Sequence, residues 1–122
     1  NYSLIGRGSN FELKKVEEIS NLKELISSIK ENITKAAKAH IELSWDSYFF
    51  FVKKNDPAQV EFITGDFGGV DKDERVPYET MLELNIAQAQ VALDEFIMLY
   101  VNKEKKDFYY KITEKEFSVI KK

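Results

Sequence analysis

The sequence predicts a single α+β domain of two layers, in which a mainly antiparallel sheet carries two principal helices. Three observations support this fold class. Two segments repeat apolar residues every three or four positions, as amphipathic helices do. Between them lies a run of alternating or continuous apolar residues, which is typical of strands. The turn signals between these strands are short, and turns of that length connect antiparallel strands.

Length and composition agree with one domain over residues 1–122. The chain has 43% hydrophobic and 32% charged residues, which is the profile of a folded globular protein. It contains no cysteine, and this excludes disulfides, thiolate metal sites and a cysteine nucleophile. No stretch approaches the roughly 20 apolar residues that a membrane span needs. We therefore expect a protein that does not span a membrane.

The first helix is predicted from Leu22 to Ala37. Its apolar stripe consists of Leu22, Leu25, Ile26, Ile29, Ile33, Ala36 and Ala37. Lysine and glutamate occupy the other face, so the segment is amphipathic. Asn21 precedes the stripe and Glu24 follows three positions later, and this pair predicts an N-cap with a capping box.

The second helix is predicted from Ile86 to Val101, with Asn85 as its N-cap and Gln88 in the capping-box position. Its main apolar stripe consists of Ile86, Ala89, Leu93, Phe96, Ile97 and Tyr100. Further apolar residues widen this face: Val91, Ala92, Met98 and Leu99. A face of this width predicts packing on two sides or a contact with a second chain.

The central strands are predicted as a meander. The segment Ile41–Trp45 alternates apolar and polar residues, and Asp46 and Ser47 form a tight turn into a strand at Tyr48–Lys53. A second turn signal, at 55–57, leads into a strand at Gln59–Thr64.

Four weaker strands complete the prediction. One runs from Val76 to Leu84, where Pro77 indicates an edge or a bulge. Another runs from Asp107 to Thr113, where aromatic and polar residues alternate. The remaining two are Tyr2–Ile5 and Phe11–Val16.

No catalytic, metal or cofactor site is expected. The single histidine, His40, is a candidate general base beside Glu42 or Asp46, but its alternation with apolar neighbours places it on a polar, exposed face. The acidic run 71–74 lacks the ligand spacing and the central glycine of a calcium loop. The glycines at 65, 68 and 69 do not have the spacing of a phosphate-binding loop, so a turn explains them better.

Charge is distributed unevenly along the chain. Residues 55–80 contain seven acidic and two basic residues, whereas residues 102–122 contain seven basic and four acidic ones. A net acidic domain lacks the charge that neutralises phosphates, so direct nucleic-acid binding is not expected. An acidic patch instead favours a basic protein partner. The residues predicted to bind it are Trp45, Asp46, Tyr48, Asp66, Asp71, Asp73, Glu74 and Glu79.

About a third of the chain resembles a known class of proteins. The matching residues are Val76, Pro77, Glu83, Leu84, Asn85, Ala89, Ala92, Leu93, Glu95 and Phe96, followed by Phe108, Tyr109 and Tyr110. This pattern is similar to the C-terminal half of immunity proteins from bacterial polymorphic-toxin and contact-dependent inhibition systems. The resemblance implies a cytoplasmic protein that binds and neutralises a cognate toxin domain, frequently a nuclease or deaminase. The acidic loop 66–74 would then face a basic cleft of the toxin.

Two other interpretations remain open at this point. One is a small-molecule site or an enzyme in a cone-like domain, with His40, Asp46 or Tyr48 pointing inward into a deep pocket. The other is a self-associating module, in which a homodimer buries Val91, Met98 or Leu99 of the second helix.

Overall fold

A computed structural model describes residues 2–5, 18–53, 55–64 and 71–120 of the chain. Three helices and five strands are present in these ranges. The helices are α1 (Leu22–Lys38), α2 (Tyr78–Tyr100) and α3 (Lys106–Ile120). The strands are β1 (Tyr2–Ile5), β2 (Ile41–Glu42), β3 (Tyr48–Lys53), β4 (Asp56–Thr64) and β5 (Asp71–Lys72). All of the strand pairs are antiparallel, so the α+β prediction is confirmed.

The larger sheet has three strands in the order β1-β3-β4, and β2 and β5 form a separate two-stranded ladder. The predicted hairpin between β3 and β4 is confirmed, with Phe50 opposite Phe62 and Val52 opposite Val60. The predicted strand at Tyr2–Ile5 is confirmed as well and pairs with β3. The candidate strand Phe11–Val16 lies outside the described residues.

Alternation along β3 gives the sheet one buried face. Tyr48, Phe50 and Val52 are buried, whereas the residues between them are only partly buried. Phe50 stacks on Phe96 of α2 with a ring-centroid distance of 4.8 Å. This aromatic contact between β3 and α2 and the burial of both rings hold the helix on the sheet.

Helix α1 occupies the predicted segment, but its predicted capping box is wrong. The Asn21 side chain makes no hydrogen bond to the helix. It turns instead toward β4, where its nitrogen donates to the Val60 carbonyl at 2.6 Å and its oxygen accepts from the Val60 N–H at 2.8 Å. An amide side chain offers one donor and one acceptor in the same plane, so it pairs with a strand as another strand would.

The predicted hairpin between Ile41–Trp45 and Tyr48–Lys53 is also wrong. The segment Trp45–Ser47 forms one turn of 3-10 helix, and β2 pairs with β5 rather than with β3. The chain thus passes from one sheet to the other at this turn.

Helix α2 begins eight residues before its predicted start, so the predicted strand Val76–Leu84 is wrong. Pro77 precedes the first turn with φ of −62°, a value compatible with helix entry. Asn85 is therefore not an N-cap, and Gln88 has no capping-box role. Asn85 lies inside the helix with 0% exposure, where its nitrogen donates to the Ile41 carbonyl at 2.9 Å and its oxygen accepts from the Leu43 N–H at 2.8 Å.

Helix α3 replaces the predicted strand Asp107–Thr113. The alternation over those seven residues is real, but the longer segment places buried residues four apart, at Tyr109, Thr113 and Phe117. Phe108, one of the alternating residues of the predicted strand, is 59% exposed. The helical period prevails because it buries one continuous stripe against the rest of the core.

Replacing Asn85 by Ala tests how strongly its amide holds α2 to β2. The Leu43 N–H and the Ile41 carbonyl would both lose their partner in a buried position, and we expect the free energy of unfolding to fall by about 3 kcal/mol. Glu83→Ala, at an exposed position of the same helix, is the control and should change it by less than about 0.5 kcal/mol. Urea denaturation of the two variants measures this difference, and equal stabilities would contradict the assigned role of Asn85.

Candidate functional site

One backbone hydrogen bond joins the turn that follows β5 to the segment just after α1, and another closes the turn itself. The Asp73 N–H donates to the His40 carbonyl at 2.9 Å, and the Val76 N–H donates to the Asp73 carbonyl at 3.2 Å. His40 adopts a left-handed conformation with φ of 59°, and its Nδ1 lies 3.0 Å from the Val76 carbonyl. A carbonyl only accepts, so Nδ1 carries the hydrogen in this contact. His40 thus fastens the turn, and this contact does not involve Glu42 or Asp46, the predicted partners of a general base.

Two of the predicted acidic residues are paired locally. The Arg75 guanidinium donates to both carboxylate oxygens of Asp73, at 3.0 and 3.2 Å. This fork, together with the Arg75 N–H, lowers the pKa of Asp73. Glu74 lies 3.7 Å from the Lys72 ammonium. Both pairs are at the surface, where such contacts add little stability, but each of them offsets an acidic charge of the turn.

An open cleft of about 640 Å³ lies between this turn and the start of α2. Its lining residues are Glu42, Lys72, Asp73, Glu74, Arg75, Val76, Met81 and Leu84. Leu84 is 39% exposed and supplies apolar surface within the polar rim. The cleft therefore combines an apolar contact with charged groups of both signs, an arrangement that suits a protein surface.

The structure brings together only some of the predicted binding residues. Asp73 and Glu74 line the cleft, and the backbone of Asp71 pairs with that of Glu42 at its edge. Glu79 is exposed on the first turn of α2. Asp66 lies outside the described residues.

The aromatic half of the prediction lies elsewhere. Asp46 is exposed in the 3-10 turn, but Trp45 is partly buried against the core. The backbone N–H of Trp45 donates to the side-chain oxygen of Gln88 at 2.8 Å, and this bond holds the turn against α2. Neither Trp45 nor Asp46 lines the cleft between the turn after β5 and the start of α2.

Tyr48 is a core residue rather than a surface anchor. It is 6% exposed, and its ring lies 6.0 Å from that of Phe62. Burial raises the pKa of its hydroxyl, and the neighbouring Asn32 side chain partly offsets this effect. Among the described residues, neither the Tyr48 hydroxyl nor the Asn32 amide nitrogen has a partner within hydrogen-bond geometry.

Of the eight described residues that line the cleft, only Asp73 and Glu74 were predicted to bind a partner. The other residues of the cleft are Glu42, Lys72, Arg75, Val76, Met81 and Leu84. Glu42 reaches it only through the pairing of β2 with β5, which are separated by almost thirty residues. Met81 and Leu84 reach it because α2 begins before them. No local signal reports either feature, since both are consequences of tertiary packing.

Within the part of the chain that the structure describes, no group of three or more histidine, aspartate and glutamate side chains is placed to hold a metal ion. None of the helices described there is long and apolar enough to cross a membrane. Comparison with protein-family models, with curated proteins and with solved structures finds no match for the chain.

Two buried tyrosines allow a direct test of the unpaired Tyr48 hydroxyl. Tyr109 accepts a hydrogen bond from the Ile19 N–H at 2.9 Å, so Tyr109→Phe should cost about 1–2 kcal/mol by leaving that N–H unpaired. Tyr48→Phe removes a hydroxyl that is buried without a partner and should leave stability unchanged or raise it by up to about 1 kcal/mol. Thermal and urea denaturation measure both changes. A large loss of stability in Tyr48→Phe would show that its hydroxyl is paired in solution.

Proposed function

We propose that this chain works by binding another protein, and that it is an immunity protein which neutralises a cognate toxin domain in the cytoplasm. The observation that carries this proposal is the open cleft between β5 and α2, where three carboxylates and two basic side chains surround the exposed Leu84. Carboxylates around an apolar contact suit a basic protein surface, because the charges steer the encounter and the apolar group contributes contact area. The resemblance of residues 76–96 to immunity proteins gives the class of partner.

The small-molecule alternative has His40, Asp46 or Tyr48 pointing inward into a deep pocket. They lie in three different settings. His40 binds the Val76 carbonyl, Asp46 is exposed in a 3-10 turn, and Tyr48 packs in the core beside Phe62. Their separation favours the protein-binding proposal.

Self-association is the second candidate, and one observation favours it. Leu84, Val91 and Met98 are all exposed and lie seven residues apart on α2, a spacing that places them on one side of a helix. Leu99 is also exposed, at 38%. A homodimer through this stripe would bury them, and the hydrodynamic mass of the purified chain decides whether it forms.

The immunity proposal is tested by co-expression with the product of the neighbouring gene. We expect the two proteins to elute together in size-exclusion chromatography, and we expect this chain to rescue cells from the toxicity of its neighbour. Replacing Glu42, Glu74 and Glu79 by Gln should slow association on the order of tenfold at low salt, because the steering charges are lost.

The control for this test is Glu104→Gln, Asp107→Asn and Glu114→Gln. It changes the net charge by the same amount at exposed positions of another part of the chain. Its association rate should stay close to that of the unmodified protein. Separate elution without rescue would refute the immunity proposal, and equal rates for the two triple variants would refute the role of the cleft.

A further inference from the structure

The outer edge of β4 is only half covered. The side-chain amide of Asn21 takes up both the N–H and the carbonyl of Val60. Ser20 donates to the Ala58 carbonyl through its backbone N–H at 2.8 Å and through its hydroxyl at 3.2 Å. The segment just before α1 therefore covers the first half of this edge.

The second half of the edge has no such cover within the described residues. In an antiparallel ladder, each residue directs its N–H and its carbonyl to the same side, and successive residues alternate. Val60 directs both groups away from β3, toward Asn21, so Phe62 and Thr64 direct theirs the same way. The register supports this. Val60 lies opposite Val52, Phe62 opposite Phe50 and Thr64 opposite Tyr48, so the three pairs follow one another at steps of two residues without a shift.

A groove lies beside this free edge, between β4 and α1. It consists of two adjoining clefts of about 640 and 460 Å³, which share Ser28, Phe62 and Ile63. The larger cleft is mostly apolar, the smaller one is mostly polar, and Ile63, which both share, is 55% exposed. Unpaired strand groups next to an apolar groove are the two features that an added strand requires.

The charges along the groove are unbalanced. Its lining includes Glu24, Glu31 and Glu61, whereas Lys35 is the only basic residue among the described residues that line it. None of these four side chains forms an ion pair with another residue in the described ranges. The groove therefore offers free negative charge to whatever enters it.

We propose that the groove between α1 and β4 binds an extended, basic segment of a partner protein, which joins the sheet as a strand beside β4. Its backbone pairs with the outward groups of Phe62 and Thr64. One face of the added strand meets Phe62 and the α1 carboxylates of Glu24 and Glu31, and its other face meets Glu61 and Ile63. Each face therefore pairs lysine or arginine residues with the glutamates and apolar side chains with Phe62 or Ile63. Such strand addition takes its affinity from the backbone bonds and its specificity from the side chains.

A second copy of this chain is a poorer occupant of the same edge. Antiparallel pairing of two β4 edges would bring the Glu61 carboxylate of each copy close to the other, and like charges across a ladder destabilise it. Natural edge strands use charged residues in this way to prevent self-pairing. A basic segment avoids this repulsion, because its lysine or arginine side chains attract the Glu61 carboxylate.

The proposal does not rest on the proposed function, because the groove and the cleft at β5 share no lining residue. Its test uses the full chain and a synthetic peptide in which pairs of lysines alternate with pairs of valines, so that each face of the added strand carries both residue types. We expect this peptide to bind and to slow the amide hydrogen exchange of Phe62 and Thr64 at least tenfold. The same peptide with alternate backbone nitrogens methylated keeps its charge but loses its donors on one edge, and it should not give this protection. Equal protection by the two peptides would overturn strand pairing.

Two variants separate the backbone and charge contributions. Thr64→Pro removes an outward N–H at an edge position, where proline is compatible with the fold, and it should weaken the peptide at least tenfold. Glu24, Glu31 and Glu61 changed to Gln should weaken it similarly. The triple variant at Glu104, Asp107 and Glu114 is again the control and should bind normally.

Two results would overturn the proposal. The first is protection that spreads over other strands instead of Phe62 and Thr64. The second is a dimer that protects these amides in the absence of peptide, since a second copy would then occupy the edge. Circular dichroism of each variant confirms that the fold is retained before binding is compared.

Discussion

The arrangement of the whole chain depends on the buried amide of Asn85. A polar side chain with 0% exposure requires partners, and Asn85 finds them in the Ile41 carbonyl and the Leu43 N–H. One turn later Gln88 holds the Trp45 N–H from the same helix. These two amides fix the segment 41–45 along α2, and that segment in turn sets where β2 meets β5 and where β3 begins. The register of helix against strand is thus set by hydrogen bonds, while apolar burial supplies the driving force.

Asn21 has a corresponding role at the start of α1. Its amide takes the place of a neighbouring strand for Val60, so the helix begins against the sheet edge instead of being capped by its own side chain. The segment before α1 covers the edge of β4 only as far as Val60, and β4 continues for four residues beyond it. The interaction that attaches α1 therefore also leaves Phe62 and Thr64 available. Structural and binding features of this edge arise from one asparagine.

The sequence predicted those parts of the fold whose patterns are long and local. Helix α1 and the β3–β4 hairpin follow from periodicity and from a turn signal, and both were confirmed. The two asparagines were misleading. Asn21 and Asn85 are of the residue type that commonly caps helices, but their side chains bind the backbone of segments that are distant in sequence. The window 107–113 was too short to distinguish alternation from the helical period that Tyr109, Thr113 and Phe117 reveal. Tyr48 was placed at the surface because it follows the predicted turn at Asp46 and Ser47, whereas tertiary contacts bury it.

Counts of charged residues also differ from the surface that they produce. The acidic turn after β5 contains bases that pair with it, so Asp73 and Glu74 contribute less free charge than the sequence implies. The carboxylates beside β4 come from two elements that are distant in sequence, Glu24 and Glu31 from α1 and Glu61 from β4, and no local count reveals them as a group. Position rather than net charge therefore determines where a basic partner is attracted. Among the described residues, the carboxylates of Glu24, Glu31 and Glu61 form no ion pair and lie beside the outward backbone groups of Phe62 and Thr64. The combination favours a basic polypeptide over other cations, because only a polypeptide satisfies both.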